Sequence, residues 1–417
     1  MMTGRTRDAA DDVRMRGFAR RHTVEAALEL LDAQLHVLDV EVVPLQEAAG
    51  RVLAEEVVSG IDVPGFDRAT MDGYAVDADS TDGATAYNPL PLIVVGDSFP
   101  GRPFRGAVVP GEAVRIMTGA PLPDGCNAVL PAEWIGETGE AARVTALAAV
   151  SPGKHVGHRG EDIVRGTAVL QSGRVLRPQD AGLLSSIGLA QVPVIRKPRV
   201  RLLVTGNEIL PAGSPPHGHS IADANGPMLA ALAARDGAIV SFPTPVPDDP
   251  AAILDALQDE ADVIVVSGGS SVGAEDIAPT LVARHGEIVV HGIAMRPSSP
   301  TGFGRIGQRL IFLLPGNPVS CLCAYDFFAG RAIRALGGRT KEWPYRAIDA
   351  ALSRKISSPI GRLDYVRVRL AGGLVEPLAT GSASVLSSTT RADGFVIVPA
   401  DSEGFPAGAG VRVWLYE

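Results

Sequence analysis

The stretch DVIVVSGGSSVG, residues 262–273, decides the fold of the larger part of this chain. Its apolar run is followed at once by a turn rich in glycine and serine, as at the end of a buried parallel strand. Similar apolar runs occur at Val200–Val204, Ile239–Phe242, Ile288–Val290 and Leu310–Leu314. Helical patterns separate these runs, near residues 225–236, 250–260, 277–285 and 318–336. The alternation predicts an α/β domain with a mostly parallel sheet.

Outside this region the pattern changes to short runs typical of β structure. Between Ile61 and Leu147 such runs are interrupted by glycine and proline, as in Pro91–Val95, Ala107–Val109 and Ala113–Met117. After Pro344 valine and leucine alternate with arginine, which predicts further strands. The predicted fold class is therefore multidomain α/β plus β.

Four domains are predicted from these changes of pattern. They are a discontinuous helical and β linker domain at 20–58 and 149–195, an inserted β module at 59–148, a central three-layer α/β domain at 196–340 and a small C-terminal β domain at 341–417. The linker domain depends on two helix candidates, Val24–Leu35 with Thr23 as its N-cap and Pro178–Ile187, which we expect to pack together. Residues Pro193–Pro198 are predicted to connect this domain to the next.

Composition excludes several classes of protein. Asp and Glu number 47 against 38 Lys and Arg, a net charge of −9, which disfavours broad binding to nucleic acid. Three cysteines are too few for a disulfide framework and suit a reducing cytoplasm. The longest apolar runs are far shorter than the roughly 20 residues that span a bilayer, and no apolar segment typical of a signal peptide follows the arginine-rich N-terminus. We therefore expect a cytoplasmic protein without nucleic-acid or membrane partners.

Polar turns follow three of the predicted strands, at Thr205–Glu208, Ser267–Gly273 and Pro315–Ser320. Ligands of parallel α/β sheets bind at the carboxyl ends of strands, and backbone N–H groups of a glycine-rich loop can hold a phosphate. The middle loop lacks the lysine of a Walker motif, and Ser270 interrupts the dinucleotide pattern G-x-G-x-x-G. Neither a nucleotide triphosphatase nor a dehydrogenase is supported. A plain turn with helix-capping serines is the alternative.

A second group of candidates is acidic. Asp72, Glu208, Asp248 and Asp276 follow turns or strands, and Thr118 adds a hydroxyl. Oxygen ligands of this kind suit Mg²⁺, which often bridges carboxylates and substrate phosphates. Taken singly, each of these residues is also typical of an exposed turn or cap.

Six segments, in order, resemble the signatures of the molybdopterin molybdenumtransferases, a family that includes the E domain of gephyrin. They are PGFDRATMDGYAV at 64–76, RIMTGAP at 115–121, GEDI at 160–163, TGNE at 205–208, SGGSSVGAED at 267–276 and PGNPVS at 315–320. The segment GRLDYVR at 361–367 is similar to the last domain of that family. The resemblance implies an elongated homodimer in which the α/β domain of one subunit faces the β module of the other.

The resemblance also implies an activity: insertion of molybdate into adenylylated molybdopterin, with release of AMP and assistance from Mg²⁺. It gives catalytic roles to Asp72 and Thr118, which act across the dimer, and to the acidic residues Glu208, Asp248 and Asp276, with Glu208 and Asp276 as metal ligands. The implied substrate-binding residues are Asp162, Gly268, Gly269, Ser270, Ser271, Gly273, Arg296, Ser299, Pro315, Gly316, Asn317, Pro318, Ser320, Arg367 and Ser384. Arg367 and Ser384 resemble residues that bind the oxyanion. A molybdopterin adenylyltransferase and molybdoenzyme apoproteins are further candidate partners.

The chain departs from the family at its lysines. The usual Lys-Pro-Gly-Lys-Pro is Arg296-Pro297-Ser298-Ser299-Pro300 here, and Gly292 replaces a further lysine. Arg296 can hold an oxyanion through two parallel hydrogen bonds, whereas Ser299 supplies a donor without charge. The family motif Asp-Thr-Asn is present as Asp223-Ala224-Asn225.

These departures leave three functions open. The first is an active insertase, and the second is a paralogue that binds molybdopterin or a partner without inserting metal. The third, a molybdopterin adenylyltransferase, is disfavoured because the related adenylyltransferases contain only the α/β domain.

Overall fold

The computed structural model describes residues 21–139, 142–242, 244–269, 277–379 and 383–416. Its internal contacts divide the chain into two compact units. The larger comprises the chain up to Glu41, residues 50–52 and the chain from Val194 onward, and the smaller comprises residues 42–49 and 53–193. Among the described residues, no helix is long and apolar enough to span a membrane.

The first helix, α1 (Val24–Asp32), begins as predicted, because the Thr23 hydroxyl accepts a hydrogen bond from the Ala26 N–H at 3.2 Å. Val24, Ala27 and Leu31 are buried in the core of the α/β sheet. The helix ends three residues earlier than predicted. It belongs to the larger unit, whereas the helix predicted at Pro178–Ile187 lies in the smaller one. The expected packing of these two helices into one domain does not match this placement, and the four domain boundaries stay a prediction.

The strands and helix that follow are short. In chain order they are β1 (Val40–Pro44), β2 (Val57–Val58), β3 (Arg68–Ala69), β4 (Gly73–Val76), β5 (Leu90–Ser98), β6 (Glu112–Ile116), β7 (Ala128–Pro131), β8 (Ile135–Glu137), β9 (Arg143–Ala146), β10 (Val156–Gly157), β11 (Ala168–Leu170), α2 (Pro178–Ser186) and β12 (Gln191–Ile195). The stretch Pro193–Pro198, predicted as a connection, belongs to β12 in its first half, up to Ile195. Val192 and Val194 are fully buried, as alternate residues on one face of a strand are.

A six-stranded sheet forms the centre of the smaller unit, with the order β7-β4-β6-β5-β9-β8. Only β5 and β6 are parallel, and the other neighbours are antiparallel. Two of the predicted strands are confirmed, at Pro91–Val95 and Ala113–Met117, whereas Ala107–Val109 contributes only an isolated bridge from Ala107 to Asp124.

The α/β part of the larger unit continues the chain. Its elements are β13 (Arg199–Val204), β14 (Ile209–Leu210), β15 (Ile221–Ala222), α3 (Asn225–Arg235), β16 (Ile239–Ser241), α4 (Pro250–Leu257), β17 (Val263–Ser267), α5 (Ile277–His285), β18 (Glu287–His291), β19 (Met295–Arg296), β20 (Gly302–Ile306), β21 (Arg309–Leu314), α6 (Pro318–Ala324), a π-helical segment (Tyr325–Ala329) and α7 (Gly330–Leu336). Each strand and helix expected from the alternation is present, although several bounds differ by one to three residues.

The α/β sheet is mixed, with the order β16-β13-β17-β21-β20-β18. The first four strands are parallel, as predicted, whereas β20 runs antiparallel to both of its neighbours, β21 and β18. The sequence prediction missed β20 because its Gly302 and Gly304 weaken a strand pattern. At Gly304 a Cβ would lie 2.1 Å from the Glu287 carbonyl oxygen, so glycine permits the close pairing of β20 with β18.

Apolar side chains alternate between the two faces of this sheet. Val263 and Val265 face a core shared with α1, α3, α6 and α7, while Ile264 and Val266 face a core shared with α4 and α5. Since every residue of β17 is buried, the near-continuous apolar run follows from burial on both faces.

The C-terminal part is a closed sheet. Its elements are β22 (Ala347–Leu352), β23 (Ile356–Ser357), β24 (Leu363–Ala371), β25 (Leu374–Ala379), α8 (Ser387–Thr390), β26 (Gly394–Val398), β27 (Gly404–Phe405) and β28 (Gly410–Leu415). The order is β19-β24-β25-β22-β28-β26, and an additional pairing of β24 with β26 closes the sheet on itself. Its first strand, β19, comes from the α/β part, which joins the two parts through backbone hydrogen bonds.

A buried carboxylate marks the junction between the α/β helices and this closed sheet. Asp326, in the π-helical segment, is completely buried and accepts hydrogen bonds from the Tyr345 hydroxyl at 2.8 Å and the Tyr365 hydroxyl at 3.4 Å. The indole N–H of Trp343 donates to the backbone carbonyl of Asp326 at 2.9 Å. Burial raises the pKa of Asp326 to about 6, because the charged form loses its hydration.

This pKa predicts how stability depends on pH. The pKa of about 6 exceeds the ordinary 3.8, so between these values the folded protein holds a proton that the unfolded chain has released. The stability that Asp326 contributes is therefore greatest at low pH and is lost as the pH rises to 6. We expect the free energy of unfolding of Asp326→Asn, relative to that of the wild type, to rise by about 2 kcal/mol between pH 4 and 7. Urea unfolding at the two pH values measures this difference, and a pH-independent difference would contradict it.

Candidate functional site

The ends of three parallel strands lie in contact at one edge of the α/β sheet. The Thr205 N–H donates to the Ser267 carbonyl at 3.0 Å, and the Gly268 N–H donates to the Leu314 carbonyl at 3.3 Å. A Cβ on Gly268 would lie 2.4 Å from the Thr205 carbonyl oxygen, and its φ of +100° also favours glycine. The loops that follow β13, β17 and β21 therefore meet at the carboxyl edge, where parallel sheets bind ligands.

One amide fixes this edge. The Asn225 Nδ2 donates to Ser267 Oγ at 2.8 Å and to the Gly316 carbonyl at 2.7 Å. Asn225 is the first residue of α3 and is only 7% exposed. It thus connects the helix to the ends of β17 and β21 through two hydrogen bonds.

Three buried oxygen atoms at this edge have no hydrogen-bond partner among the described residues: Thr205 Oγ1, Asp223 Oδ2 and Asn225 Oδ1. The other carboxylate oxygen of Asp223 accepts from the Gly226 N–H at 2.9 Å, and burial raises the pKa of Asp223. A buried polar atom without a partner costs about 1–3 kcal/mol, so such atoms point to a ligand or water that completes them.

Sequence reasoning gave none of these three residues a role of its own, although Thr205 begins a predicted ligand-binding turn and Asp223 and Asn225 belong to a family motif. A signal was nevertheless present, because Asp223 lies just before, and Asn225 at the first position of, a helix that starts at the carboxyl edge. Their placement depends on the return of the chain through β14 and β15, which are only two residues each and carry no periodic pattern.

Two of the predicted acidic residues lie on neighbouring loops. The Asn207 N–H donates to Asp248 Oδ2 at 3.2 Å, and the Asp248 N–H donates to Asn207 Oδ1 at the same distance. Glu208 follows directly and is exposed. Asp276, together with Ser270, Ser271 and Gly273, lies outside the described residues. Within the described ranges no three His, Cys, Asp or Glu side chains are grouped closely enough to hold a metal.

The predicted loop Pro315–Ser320 leads into α6. Asn317 is its N-cap residue and Pro318 its first residue, a position where the missing N–H of proline has no cost. The Val319 N–H donates to the Ala383 carbonyl at 3.1 Å, which brings this loop beside the residue that precedes Ser384. The chain segments that carry Gly316, Ser320 and Ser384 are thus neighbours.

Arg367 is a buried cation without a carboxylate partner among the described residues. It is 1% exposed, and its Nε and Nη1 atoms have no hydrogen-bond partner. Residues alternate along β24: Tyr365 packs in the α/β core, while Val366 and Val368 pack inside the closed sheet. Arg367 therefore faces the α/β side, and its charge opposes the strong rise that burial causes in the pKa of Cys323 in α6. A desolvated guanidinium requires an anion to offset the loss of hydration.

Arg296 has a different environment. Its guanidinium pairs with the carboxylate of Asp364, which is 1% exposed and accepts a further hydrogen bond from the Ser358 hydroxyl at 2.7 Å. The pairing follows from register, because Arg296 stands opposite Asp364 where β19 joins β24. Alternation places Asp364 on the opposite side of β24 from Arg367. The observed contacts thus bring Arg296 to Asp364, a partner that sequence reasoning missed. The Nε of Arg296 and the Oγ of Ser299 have no partner within the described part of the chain.

The remaining predicted residues lie in the smaller unit. The Thr118 N–H and hydroxyl donate to Asp72 Oδ1 at 2.7 and 2.8 Å, which lowers the pKa of this exposed carboxyl. The structure thus brings these two predicted residues together. Asp162 is exposed and donates its backbone N–H to the Val63 carbonyl at 3.0 Å.

Three family models match successive parts of this chain. The MoeA N-terminal region (domain I and II) matches residues 22–188, the probable molybdopterin binding domain matches 201–335, and the MoeA C-terminal region (domain IV) matches 349–416. Molybdopterin molybdenumtransferase 2 of Mycobacterium tuberculosis is 37% identical over 387 residues, which are 89% of this chain and 94% of that protein. The chain belongs to the MoeA family.

Other MoeA proteins agree over the same length. Molybdopterin molybdenumtransferase of Haemophilus influenzae is 31% identical over 93% of this chain and 97% of its own. Two solved structures of the molybdopterin biosynthesis MoeA protein from Pyrococcus horikoshii superpose with TM-scores of 0.81 and 0.76, at 34% and 30% identity, each covering 95% of this chain and 100% of that chain. Asn225 and Arg296 lie within the match to the molybdopterin binding domain, and Arg367 lies within the MoeA C-terminal match.

The role of Asn225 in this MoeA protein can be tested by stability. We expect Asn225→Ala to lower the free energy of unfolding by about 2 kcal/mol, because the buried Ser267 hydroxyl and the partly buried Gly316 carbonyl each lose a donor. Asn207→Ala, which removes an exposed amide from the neighbouring loop, should cost less than about 1 kcal/mol. Urea unfolding of both variants is the measurement. Equal losses would show that Asn225 does not hold the strand ends.

Proposed function

We propose that this MoeA protein is a molybdopterin molybdenumtransferase that inserts molybdate into adenylylated molybdopterin and releases AMP. The observation that carries the proposal is the buried guanidinium of Arg367, whose Nε and Nη1 have no hydrogen-bond partner among the described residues and which therefore favours an anion. Relatives named molybdopterin molybdenumtransferase that match nearly the whole chain support the same reaction class.

Molybdate fits the environment of Arg367. It is a small tetrahedral dianion, and a guanidinium can donate two parallel N–H groups to two of its oxygens. The interaction is stronger in a buried site than in water because the effective dielectric constant is lower. Ser384, which lies near the loop Pro315–Ser320 through the Val319–Ala383 hydrogen bond, is proposed to add a hydroxyl donor.

Adenylylated molybdopterin is proposed to bind at the carboxyl edge of the α/β sheet. Gly268 and Gly269 expose the backbone after β17, where N–H groups can approach a phosphate. Asp223 Oδ2 and Asn225 Oδ1, which have no partner within the described ranges, are suited to accept N–H groups of a heterocycle. The glycine backbone would thus bind the phosphate end of the substrate, and the Asp223 and Asn225 oxygens would bind its heterocycle.

Mg²⁺ fits the residues on this edge. Glu208 is an exposed carboxylate beside the Asn207–Asp248 pair, and Mg²⁺ commonly takes only one or two protein carboxylates together with water and substrate phosphate. Glu208 and Asp276 are the proposed ligands, with Asp248 adjacent. When bound, the ion offsets negative charge on the phosphate that leaves with AMP.

The assembly implied by the family resemblance is part of the proposal. It is a cytoplasmic homodimer with the four domains given above, in which Asp72 and Thr118 of one subunit serve the α/β cleft of the other. The preformed Thr118–Asp72 hydrogen bonds support a joint role for these two residues. A molybdopterin adenylyltransferase and molybdoenzyme apoproteins are the proposed partners before and after the reaction.

The reaction is tested by AMP release from adenylylated molybdopterin with and without molybdate. The wild type should release AMP only when molybdate is present. Arg367→Met should lower the molybdate-dependent rate about 100-fold, as expected for loss of a buried group that stabilises an oxyanion. Methionine fills the space of a buried arginine without leaving a charge, so the variant should fold.

Arg369→Ala is the matched control. Arg369 lies two residues further along the same strand, is exposed and pairs with Glu376, so its loss should leave the rate unchanged. If the wild type binds adenylylated molybdopterin but molybdate never triggers AMP release, the protein is a non-inserting paralogue and the proposed reaction is wrong.

A further inference from the structure

Ser298 adopts a backbone conformation that favours glycine. Its φ is +90°, and His155 is the only other non-glycine residue with a positive φ in the described ranges. A side chain in this region crowds the backbone and costs free energy, so the conformation persists where the surroundings hold it. The family pattern that this loop resembles has glycine at this position, which adopts the conformation freely.

The side chain of Ser298 makes the contact that holds it. Ser298 is 3% exposed, and its hydroxyl donates to the backbone carbonyl of Ser320 in α6. The Thr301 N–H donates to the Ser298 carbonyl at 3.1 Å, and the Ile293 N–H donates to the Ser299 carbonyl at 2.9 Å. The loop is thus closed at its base by backbone hydrogen bonds and attached to α6 by one hydroxyl.

This hydroxyl joins two segments that carry proposed substrate-binding residues. On one side is the loop Arg296–Pro300, and on the other is the loop Pro315–Ser320. The opposite end of the first loop is fixed separately, because Arg296 pairs with the buried carboxylate of Asp364. The loop is consequently held at two points, one on the closed sheet and one on the α/β helix.

We propose that Ser298 is a positioning residue that fixes the loop Arg296–Pro300 against α6 for binding of the oxyanion substrate. The inference rests on the proposed molybdate chemistry. Ser299 lacks the charge of the family lysine. The remaining donors of the loop, Arg296 Nε and Ser299 Oγ, therefore attract an oxyanion less strongly than a loop with that lysine would. Holding them in place beforehand reduces the entropy that binding would lose and so supports affinity.

Two substitutions separate strain from the hydrogen bond. Ser298→Gly removes both the crowding and the hydroxyl, whereas Ser298→Ala keeps the crowding and removes only the hydroxyl. We expect the thermal midpoint to fall in Ser298→Ala and to be maintained in Ser298→Gly. In both variants the KM for molybdate should rise about tenfold, with kcat little changed, because the loop is no longer fixed before binding.

Ser353→Ala is the control, since the Ser353 hydroxyl also donates to a backbone carbonyl, that of Val375 at 3.1 Å, within the closed sheet. It should leave the KM for molybdate unchanged. An effect on thermal midpoint alone, with unaltered molybdate KM in Ser298→Gly and Ser298→Ala, would reduce Ser298 to a structural residue and overturn the inference.

Direct measurements distinguish failure of this inference from failure of the proposed reaction. Calorimetry gives the molybdate affinity, and amide hydrogen exchange of Ser299 and Thr301 reports how firmly the loop is held. Faster exchange and weaker molybdate binding in Ser298→Gly support the inference even if the wild type releases no AMP. Equal exchange and equal affinity overturn it even if AMP release is normal. Absence of molybdate binding by the wild type contradicts both proposals.

Discussion

The two hydrogen bonds donated by the Asn225 amide are the constraint on which the α/β cleft depends. They connect the start of α3 to Ser267 and Gly316, and thereby hold the ends of β17 and β21 at one level. Gly268 permits the third loop, after β13, to approach within van der Waals distance. Without this arrangement the backbone after β17 would not meet the loops that follow β13 and β21.

A second constraint governs the proposed anion site. Strand β19 belongs to the α/β part of the chain and pairs with β24 of the closed sheet. Its backbone hydrogen bonds therefore hold the closed sheet against the α/β part. The side chains of β24 consequently divide between two environments. Asp364 pairs with Arg296 on one side, whereas Arg367 reaches the α/β side and has no carboxylate partner in the described part of the chain. We propose that this difference, more than the number of arginines, makes Arg367 the principal contact of the dianion.

The sequence predicted those features that depend on local pattern. Continuous apolar runs followed by turns located β13, β17 and β21, and motif resemblance selected Asp72 with Thr118, which the structure shows hydrogen-bonded. Features that depend on long-range register were missed. The partner of Arg296 is set by a pairing 68 residues away in sequence, and β20 contains glycines that serve close strand packing. The roles of Asp223 and Asn225 likewise depend on two-residue strands that leave no periodic signal.

The central claim is that Arg367 receives the oxyanion at the junction of the closed sheet and the α/β part. Tungstate has the shape and charge of molybdate and scatters X-rays anomalously, so crystals soaked with tungstate test this claim most directly. We expect a strong anomalous peak within hydrogen-bonding distance of the Arg367 guanidinium in the wild type and its loss in Arg367→Met. A peak at another site, with the Arg367 guanidinium free of tungstate, would contradict the account.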